Sequence, residues 1–289
     1  LSNTVETIGE RAFQNCTGLE KVTLSQGTKV IKNYAFDNCT ALTSVDLSSN
    51  LQTIGEYAFV DCAALTKVVV PDSVTTIEIG AFKGANNLES ITLPFVGKTT
   101  EASKETSVFG YVFDYTTITA SKEPVEGAVQ QYKDRTSNGY NTFDRYYHYY
   151  IPRTLRSVTI TTDTAIPTNA FYNCSFLTEI NIPDTATSFG EYAFYNCLGI
   201  VSLETTEKLT AIGNNAFLNC SNLTVYGYRD SYADTYCTAN NVPFVAYDGI
   251  VSIAVKQLPV NMQYIGRPVD TMGFILTATL KDGTTVDFN

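Results

Sequence analysis

The sequence predicts a repeat solenoid with a parallel β-sheet on its concave face, followed by a small all-β segment. Three columns of residues that recur every 23 positions predict this fold. The columns stay in phase through seven units, which a chance coincidence of residue types would not do. They are Phe13, Phe36, Phe59, Phe82, Phe171, Phe194 and Phe217; Cys16, Cys39, Cys62, Cys174, Cys197 and Cys220; and Leu19, Leu42, Leu65, Leu88, Leu177, Ile200 and Leu223.

One unit reads I-G-x-x-A-F-x-N-C-x-x-L-x-x-V-x-L, as in Ile8 to Leu24. Its last residues alternate between apolar and polar, which predicts a short half-buried strand. Because so short a unit cannot bury its apolar side alone, we expect neighbours to stack and pair their strands about 4.8 Å apart. Ala-Phe before Asn-Cys predicts a short helical or 3₁₀ turn. The glycines Gly9, Gly55, Gly190 and Gly213 are expected to supply a positive φ where the backbone turns.

The 23-residue register breaks once. Leu88 and Leu155 are 67 residues apart. Residues 94–154 are therefore expected to form an insertion between the fourth and fifth strands. Residues 1–93 and 155–228 then hold the first four and the last four repeat units. Since the first residues already belong to a repeat, we expect the chain to be part of a longer protein.

The repeat columns resemble the leucine-rich repeats of BspA-like bacterial surface proteins. The resemblance covers roughly residues 1–93 and 155–228. It implies a right-handed solenoid, a secreted or cell-surface location, and adhesion to host proteins or to other bacteria.

The C-terminal end departs from the repeat. Residues 229–247 are expected to cap the solenoid, with a helix over 231–241, Ser231 as its N-cap and a last strand over 242–247. Residues 248–289 contain Leu258-Pro259, Tyr264, Gly266, Asp270, Gly273 and the run from Leu280 to Gly283. With these residues the segment resembles the first half of a bacterial immunoglobulin-like domain. The expected strands are 251–255, 262–264, 274–280 and 284–288, with a hairpin turn at Asp282-Gly283.

Composition and charge exclude several functions. A formal charge of −10 without a basic stripe argues against nucleic-acid binding, which needs clustered Lys and Arg. No run of about 18 apolar residues predicts a membrane span. We also expect no cofactor and a monomeric chain.

Catalysis and metal binding find little support. His148 is the only histidine, no C-x-x-C pair occurs, and no G-x-S-x-G sequence is present. Neighbouring cysteines in a ladder point the same way at a spacing too long for a disulfide, so buried free thiols are expected. Cys237 is expected to be a buried residue of the cap. Asn15, Asn38, Asn173 and Asn219 match the glycosylation sequon, but they coincide with the repeat consensus, where a turn function is favoured.

The insertion holds the strongest candidates for partner contact. It contains eight of the nineteen tyrosines, and tyrosine gives a large contact area at low entropic cost. We expect Tyr146, Tyr147 and Tyr149 to remain exposed, with Tyr140 and Arg145 as further contacts for a protein or glycan. The alternative is that these rings only pack the insertion onto the solenoid.

The predicted function is therefore a non-enzymatic surface recognition or adhesion module. Two other functions stay open: a structural spacer that presents another domain, and the non-catalytic part of a larger surface enzyme.

Overall fold

The computed structural model describes residues 4–119, 126–137, 142–247, 250–257, 275–280 and 285–288. Each coil of the solenoid carries two short strands. Up to the insertion these are β1 (Thr7–Ile8), β2 (Lys21–Thr23), β3 (Val30–Ile31), β4 (Ser44–Asp46), β5 (Thr53–Ile54), β6 (Lys67–Val69), β7 (Thr76–Ile77) and β8 (Ser90–Leu93). The insertion adds 3₁₀ turns at Lys104–Thr106 and Phe109–Phe113, then β9 (Tyr115–Thr119), β10 (Val129–Ser137) and β11 (Thr142–Tyr149).

The second half resumes the same alternation and ends in a cap. Its elements are β12 (Ser157–Ile160), β13 (Ala165–Ile166), β14 (Glu179–Asn181), β15 (Ser188–Phe189), β16 (Ser202–Glu204), β17 (Ala211–Ile212), β18 (Thr224–Gly227), α1 (Tyr232–Ala239), β19 (Phe244–Ala246), β20 (Ile250–Gln257), β21 (Ile275–Leu280) and β22 (Thr285–Phe288).

The strands predicted from L-x-x-V-x-L form what we call the front face. In β2, Val22 is buried between the exposed Lys21 and Thr23, and the other front strands show the same alternation. Pairing is parallel and keeps the repeat register, as in Val22 opposite Val45. The ladder is interrupted twice, so that three hydrogen-bonded blocks result: β2-β4, β14-β12-β8-β6 and β16-β18-β19. The front strands are thus confirmed, but they do not form one continuous sheet.

A second row of two-residue strands, which sequence reasoning missed, runs along the opposite side. It forms the parallel sheets β1-β3-β5-β7 and β13-β15-β17. The last residue of each strand is buried, for example Ile31, Ile54 and Ile77. This row contains the Ile of I-G, so each coil is held by ladder hydrogen bonds on two sides.

The interior is one stacked column of aromatic rings, as predicted. Phe13, Phe36 and Phe59 follow one another with ring centroids 5.0 Å apart and nearly parallel planes. Phe171, Phe194 and Phe217 continue the column in the second half. Burying such rings contributes about 3–5 kcal/mol each, as judged by the cost of truncation to alanine.

The cysteines form a parallel ladder of free thiols, as expected. Within each half of the solenoid, a thiol with a phenylalanine one coil earlier donates to the backbone carbonyl of that residue: Cys39 to Phe13 and Cys62 to Phe36, both at 3.2 Å between sulfur and oxygen. Cys197 repeats the contact with Phe171 at 3.1 Å. Burial raises the pKa of Cys62 to about 12, so the thiol stays protonated and can donate.

The A-F-x-N-C segments, which we call the turn edge, are closed by i→i+3 hydrogen bonds such as Cys16 N–H to Phe13 O. Each of these turns has two residues with positive φ, four positions apart. Asn, which tolerates this conformation, is frequent there, and Gly80 and Gly84 occupy the same two places. The positive-φ residues are Arg11, Asn15, Tyr34, Asn38, Tyr57, Asp61, Gly80, Gly84, Asn169, Asn173, Tyr192, Asn196, Asn215 and Asn219.

The explanation given for the I-G glycines was therefore wrong. None of these glycines has a positive φ; what Gly55, Gly190 and Gly213 provide is space. A Cβ on Gly190 would lie 2.3 Å from the backbone nitrogen of Thr168, and one on Gly213 would lie 2.3 Å from that of Glu191. The stacking of adjacent coils brings backbone against the glycine Cα, which leaves no room for a side chain.

The solenoid closes directly across the insertion. Strand β12 pairs in parallel with β8, with Ser157 opposite Ser90 and Ile160 opposite Leu93. In the interior, the 3₁₀ turn Phe109–Phe113 lies between the coil of Phe82 and the coil of Phe171 and takes the place of a repeat turn there. Phe82 N–H donates to Val112 O, Phe109 N–H donates to Ala170 O, and the Phe109 ring lies 5.4 Å from that of Phe171. The first part of the insertion is therefore core, and its last part forms a separate small sheet.

The cap has the predicted elements. Ser231 is the N-cap of α1 and its side chain accepts from Asp234 N–H at 3.2 Å. The Tyr236 hydroxyl donates to Gly213 O at 3.1 Å, which fixes the helix to the last complete coil. Cys237 is fully buried, as expected.

Beyond the cap, β20, β21 and β22 form an antiparallel three-stranded sheet in that order. These correspond to three of the four strands expected there. The expected strand at 262–264 and the turn at 282–283 lie outside the described residues.

Candidate binding surfaces

The small sheet of the insertion, β10-β11-β9, has β11 at its centre. Its two pairings are antiparallel and place Val129, Tyr149 and Tyr115 at one end, which we call the base. The opposite end of β10 and β11, where Ser137 faces Thr142, is the tip.

Gln131 attaches the base to the solenoid. A register irregularity between Gln130 and Tyr132 leaves Gln131 out of the pairing, and its side chain is buried. Its amide oxygen accepts from Gly110 N–H at 2.6 Å, and its amide nitrogen donates to Tyr172 O at 3.2 Å. One side chain thus joins the sheet to the 3₁₀ turn on one side and to the fifth coil on the other.

The exposure predicted for Tyr146, Tyr147 and Tyr149 is wrong. Their side chains are 5%, 4% and 0% exposed, respectively. The reason is that neighbouring side chains cover the rings: Tyr132 packs edge-on against Tyr147, and Lys133 lies over Tyr146. Tyr147 and Tyr149 pack against Tyr115, and the Tyr149 hydroxyl donates to Glu105 O at 2.7 Å.

The remaining candidate residues differ in position. Arg145 is partly exposed, and its guanidinium donates to the Tyr147 hydroxyl at 3.4 Å. Tyr140 lies outside the described residues. The outward polar groups are instead Lys133 and Asp144, which form an ion pair at 2.7 Å, with Lys133 Nζ 5.5 Å from the ring centroid of Tyr146.

The front face ends in an aromatic group that sequence reasoning missed. Tyr226 follows Glu204 in the front register, Tyr247 stacks on it with centroids 6.1 Å apart, and Tyr228 meets Tyr247 edge-on. The signal was present in the sequence, because Thr224-Val225-Tyr226 fits the strand pattern one unit beyond Glu204.

Comparison with protein families gives the decisive match. The model of the family described as "BspA type Leucine rich repeat region" matches residues 1–118 and 141–236, with six copies of the repeat. The chain belongs to this family.

Solved structures similar to this BspA-type chain are bacterial leucine-rich repeat proteins. One from Bacteroides ovatus is 22% identical over 85% of this chain and 58% of its own, with a TM-score of 0.48. A T. pallidum leucine-rich repeat protein is 17% identical over 82% and 76% of the two chains, with a TM-score of 0.36. A leucine-rich cell surface protein from Faecalibacterium prausnitzii is 21% identical over 85% and 70%, with a TM-score of 0.29. The chain therefore spans less than two thirds of the B. ovatus protein. No relative was found among functionally curated proteins.

The chemistry available in the BspA-type coils is limited. In the described part of the chain, no three His, Cys, Asp or Glu side chains are grouped so as to hold a metal ion. His148 is 2% exposed, and burial lowers its pKa, so the imidazole is neutral at pH 7. The thiols of Cys62 and Cys237 both have their pKa raised by burial to about 12, which makes them poor nucleophiles.

No helix within the described ranges is both long enough and apolar enough to cross a bilayer.

Proposed function

We propose that this chain is a non-enzymatic recognition module at a bacterial surface, with the repeats as scaffold and the tip of the insertion sheet as the contact with a protein partner. The BspA-type family supports the location, and one solved structure similar to this chain is that of a leucine rich cell surface protein. We further propose that residues 248–289 belong to an immunoglobulin-like domain and that the chain acts as a monomer.

One observation carries the proposal: the tip is not needed for the solenoid. Strands β8 and β12 pair directly, and the 3₁₀ turn Phe109–Phe113 completes the interior. A structural spacer would have no physical need for the two long strands β10 and β11. The residues that join this sheet to the solenoid, such as Gln131 and Tyr149, lie at the base, so we expect changes at the tip to leave the core intact.

The test is a variant that lacks only the tip. Lys133 and Tyr146 are directly opposite in the pairing, so residues 134–145 can be replaced by Asn-Gly, a two-residue hairpin turn. This variant keeps Tyr146, Tyr147 and Tyr149 and the Gln131 anchor. Removing all of 94–154 would instead destroy the core, because Phe95, Phe109 and Phe113 are fully buried.

Both proteins are immobilised and exposed to host-cell and bacterial surface extracts, and retained proteins are quantified by mass spectrometry. Each candidate is then purified and its direct affinity measured. We expect at least one partner that binds the full chain and binds the tip variant at least ten times more weakly. Equal binding to both variants would place the site elsewhere, and no direct binding by either would favour the spacer.

A further inference from the structure

A small cleft lies where the base of the insertion sheet meets the turn edge of the fifth and sixth coils. Its volume is about 290 Å³, and its polar lining includes Gln130, His148, Arg153, Asn173, Ser175 and Asn196. This is at the small end of ligand pockets, so it accommodates one small unit and not a chain.

The charge of this cleft is opposite to that of the protein. Arg153 supplies one positive charge, and no carboxylate of the described residues lines the cleft, although the chain carries a net charge of −10. Arg153 is exposed and forms no ion pair with any carboxylate of the described residues. Its guanidinium lies 5.0 Å from the ring centroid of Phe176, a contact that holds it in place.

His148 gives a second, independent sign of a ligand. His148 is 2% exposed and lines this cleft, and among the described residues its Nδ1 has no hydrogen-bond partner. Buried polar atoms without a partner are rare and costly, and they point to a missing partner.

The amide side chains fix which groups a ligand must offer. Asn173 Nδ2 donates to Gln130 O at 3.0 Å, and Asn196 Nδ2 donates to Asn173 Oδ1 at 2.9 Å. Both amides are thereby oriented, and Asn196 Oδ1 is left as an acceptor. A carboxylate, which has no donor, satisfies Arg153 but not Asn196; a ligand that also has hydroxyl groups satisfies both.

We infer that this cleft binds an acidic sugar, with its carboxylate on Arg153 and its hydroxyl groups on Asn196 and Ser175. His148 lines the same cleft, so its imidazole ring reports on a ligand bound there. This sugar site is separate from the tip and does not depend on the protein partner proposed above, since the tip variant retains His148, Gln130 and Arg153.

The chain offers an unusually clean measurement, because His148 is its only histidine. The imidazole proton resonances of the full chain are followed by NMR at pH 7 during titration with glucuronate, glucose or acetate. We expect a saturable shift with glucuronate, and affinities at least ten times weaker for glucose and for acetate.

Two variants test the assignment. Arg153→Gln is expected to weaken glucuronate binding at least tenfold, and Asn196→Leu to weaken it while reducing the preference over acetate. Arg156→Gln, three residues away and also exposed, is the matched control and should bind as the unaltered chain does. The free-state His148 resonance of each variant reports whether the fold around the cleft is intact.

Absence of a saturable shift with glucuronate would overturn the site. Unaltered binding by Arg153→Gln would overturn the role of the charge. Acetate binding as tightly as glucuronate would overturn the proposal that the ligand is a sugar. It would indicate that the ligand is an acidic side chain of a protein.

Discussion

Cys16 differs from the other six cysteines in exposure, although it occupies the same place in the repeat. It is exposed, whereas Cys39, Cys62, Cys174, Cys197 and Cys237 are buried and Cys220 is partly buried. Cys220 also donates to Phe194 O at 2.9 Å, and burial raises its pKa to about 11. A thiol reacts as its thiolate, so the raised pKa of Cys220 makes that thiol less reactive, and exposure favours Cys16 as the reactive residue.

We therefore predict that iodoacetamide at pH 8 modifies the folded chain once, at Cys16. Intact mass and peptide mapping measure the site, and all seven cysteines should react in denaturant. Cys16→Ser is the control and should remain unmodified when folded. Rapid native modification of Cys62 or Cys197 would contradict the buried ladder.

Asp163 is a buried carboxylate whose contribution to stability depends on pH. It is 4% exposed, and its side chain accepts from Val96 N–H at 2.7 Å. Burial raises its pKa to about 7, far above the value of an exposed aspartate. Between about pH 4 and pH 7 the folded state keeps a proton that the unfolded state has lost, so Asp163 lowers stability as pH rises.

Asp163→Asn keeps an oxygen for Val96 N–H but does not titrate. We predict that the stability of the variant relative to the unaltered chain rises from pH 4.5 to pH 7, by at most about 1.4 kcal/mol per pH unit, and is constant above. Urea unfolding at pH 4.5, 6 and 7.5 measures this difference. A difference independent of pH would show that Asp163 is ionised throughout.

At the scale of the element, the turn edge and the second row of two-residue strands determine how closely neighbouring coils approach each other. Gly9 and Gly190 share one consensus position, yet nothing lies within 4 Å of a Cβ placed on Gly9, while a Cβ on Gly190 meets Thr168 N at 2.3 Å. The difference arises because Gly190 has a preceding coil against it in the described structure, and Gly9 has none.

Gly190→Ala is therefore expected to lower the free energy of unfolding by about 1–3 kcal/mol or more, since rigid backbone must shift. Gly9→Ala, the matched control, should change it by less than about 0.5 kcal/mol. Denaturant unfolding of the two variants tests this. An equal loss of unfolding free energy in both variants would show that backbone conformation, and not contact with the preceding coil, explains the glycines.

The same elements show what a sequence can predict. A 23-residue period determines which side chains touch, so the Phe column, the thiol ladder and the front strands followed from counting. The period says nothing about elements outside it. The burial of Tyr146 and Tyr149 depends on strand pairing and side-chain contacts within the insertion, so it could not be predicted from the repeat. The cleft at Arg153 and His148 joins residues from the insertion and from two coils, and no local motif marks it.

At the scale of the whole molecule, the question is whether the insertion divides the solenoid. A solenoid is stabilised by contacts between neighbouring coils, so its halves act together only if the junction is well packed. Here the junction has the β8–β12 ladder on the front and Phe109 against Phe171 inside. Lys83 and Asp114 add an ion pair at 2.8 Å beside it. These contacts span the insertion on several sides of the coil.

We predict that the two halves unfold as one unit. Phe59→Ala removes a fully buried ring and should cost about 3–5 kcal/mol, so amide exchange limited by global unfolding should accelerate at least about a hundredfold. Hydrogen exchange measured by mass spectrometry reports on coils near Phe59 and near Phe194 in one experiment. Acceleration by the same factor in both regions is the expected result.

Phe13→Ala, at a partly exposed ring of the first coil, should have a smaller and local effect. If Phe59→Ala accelerated exchange only before the insertion, the junction would be too weak to couple the halves, and the insertion would separate two independent solenoids.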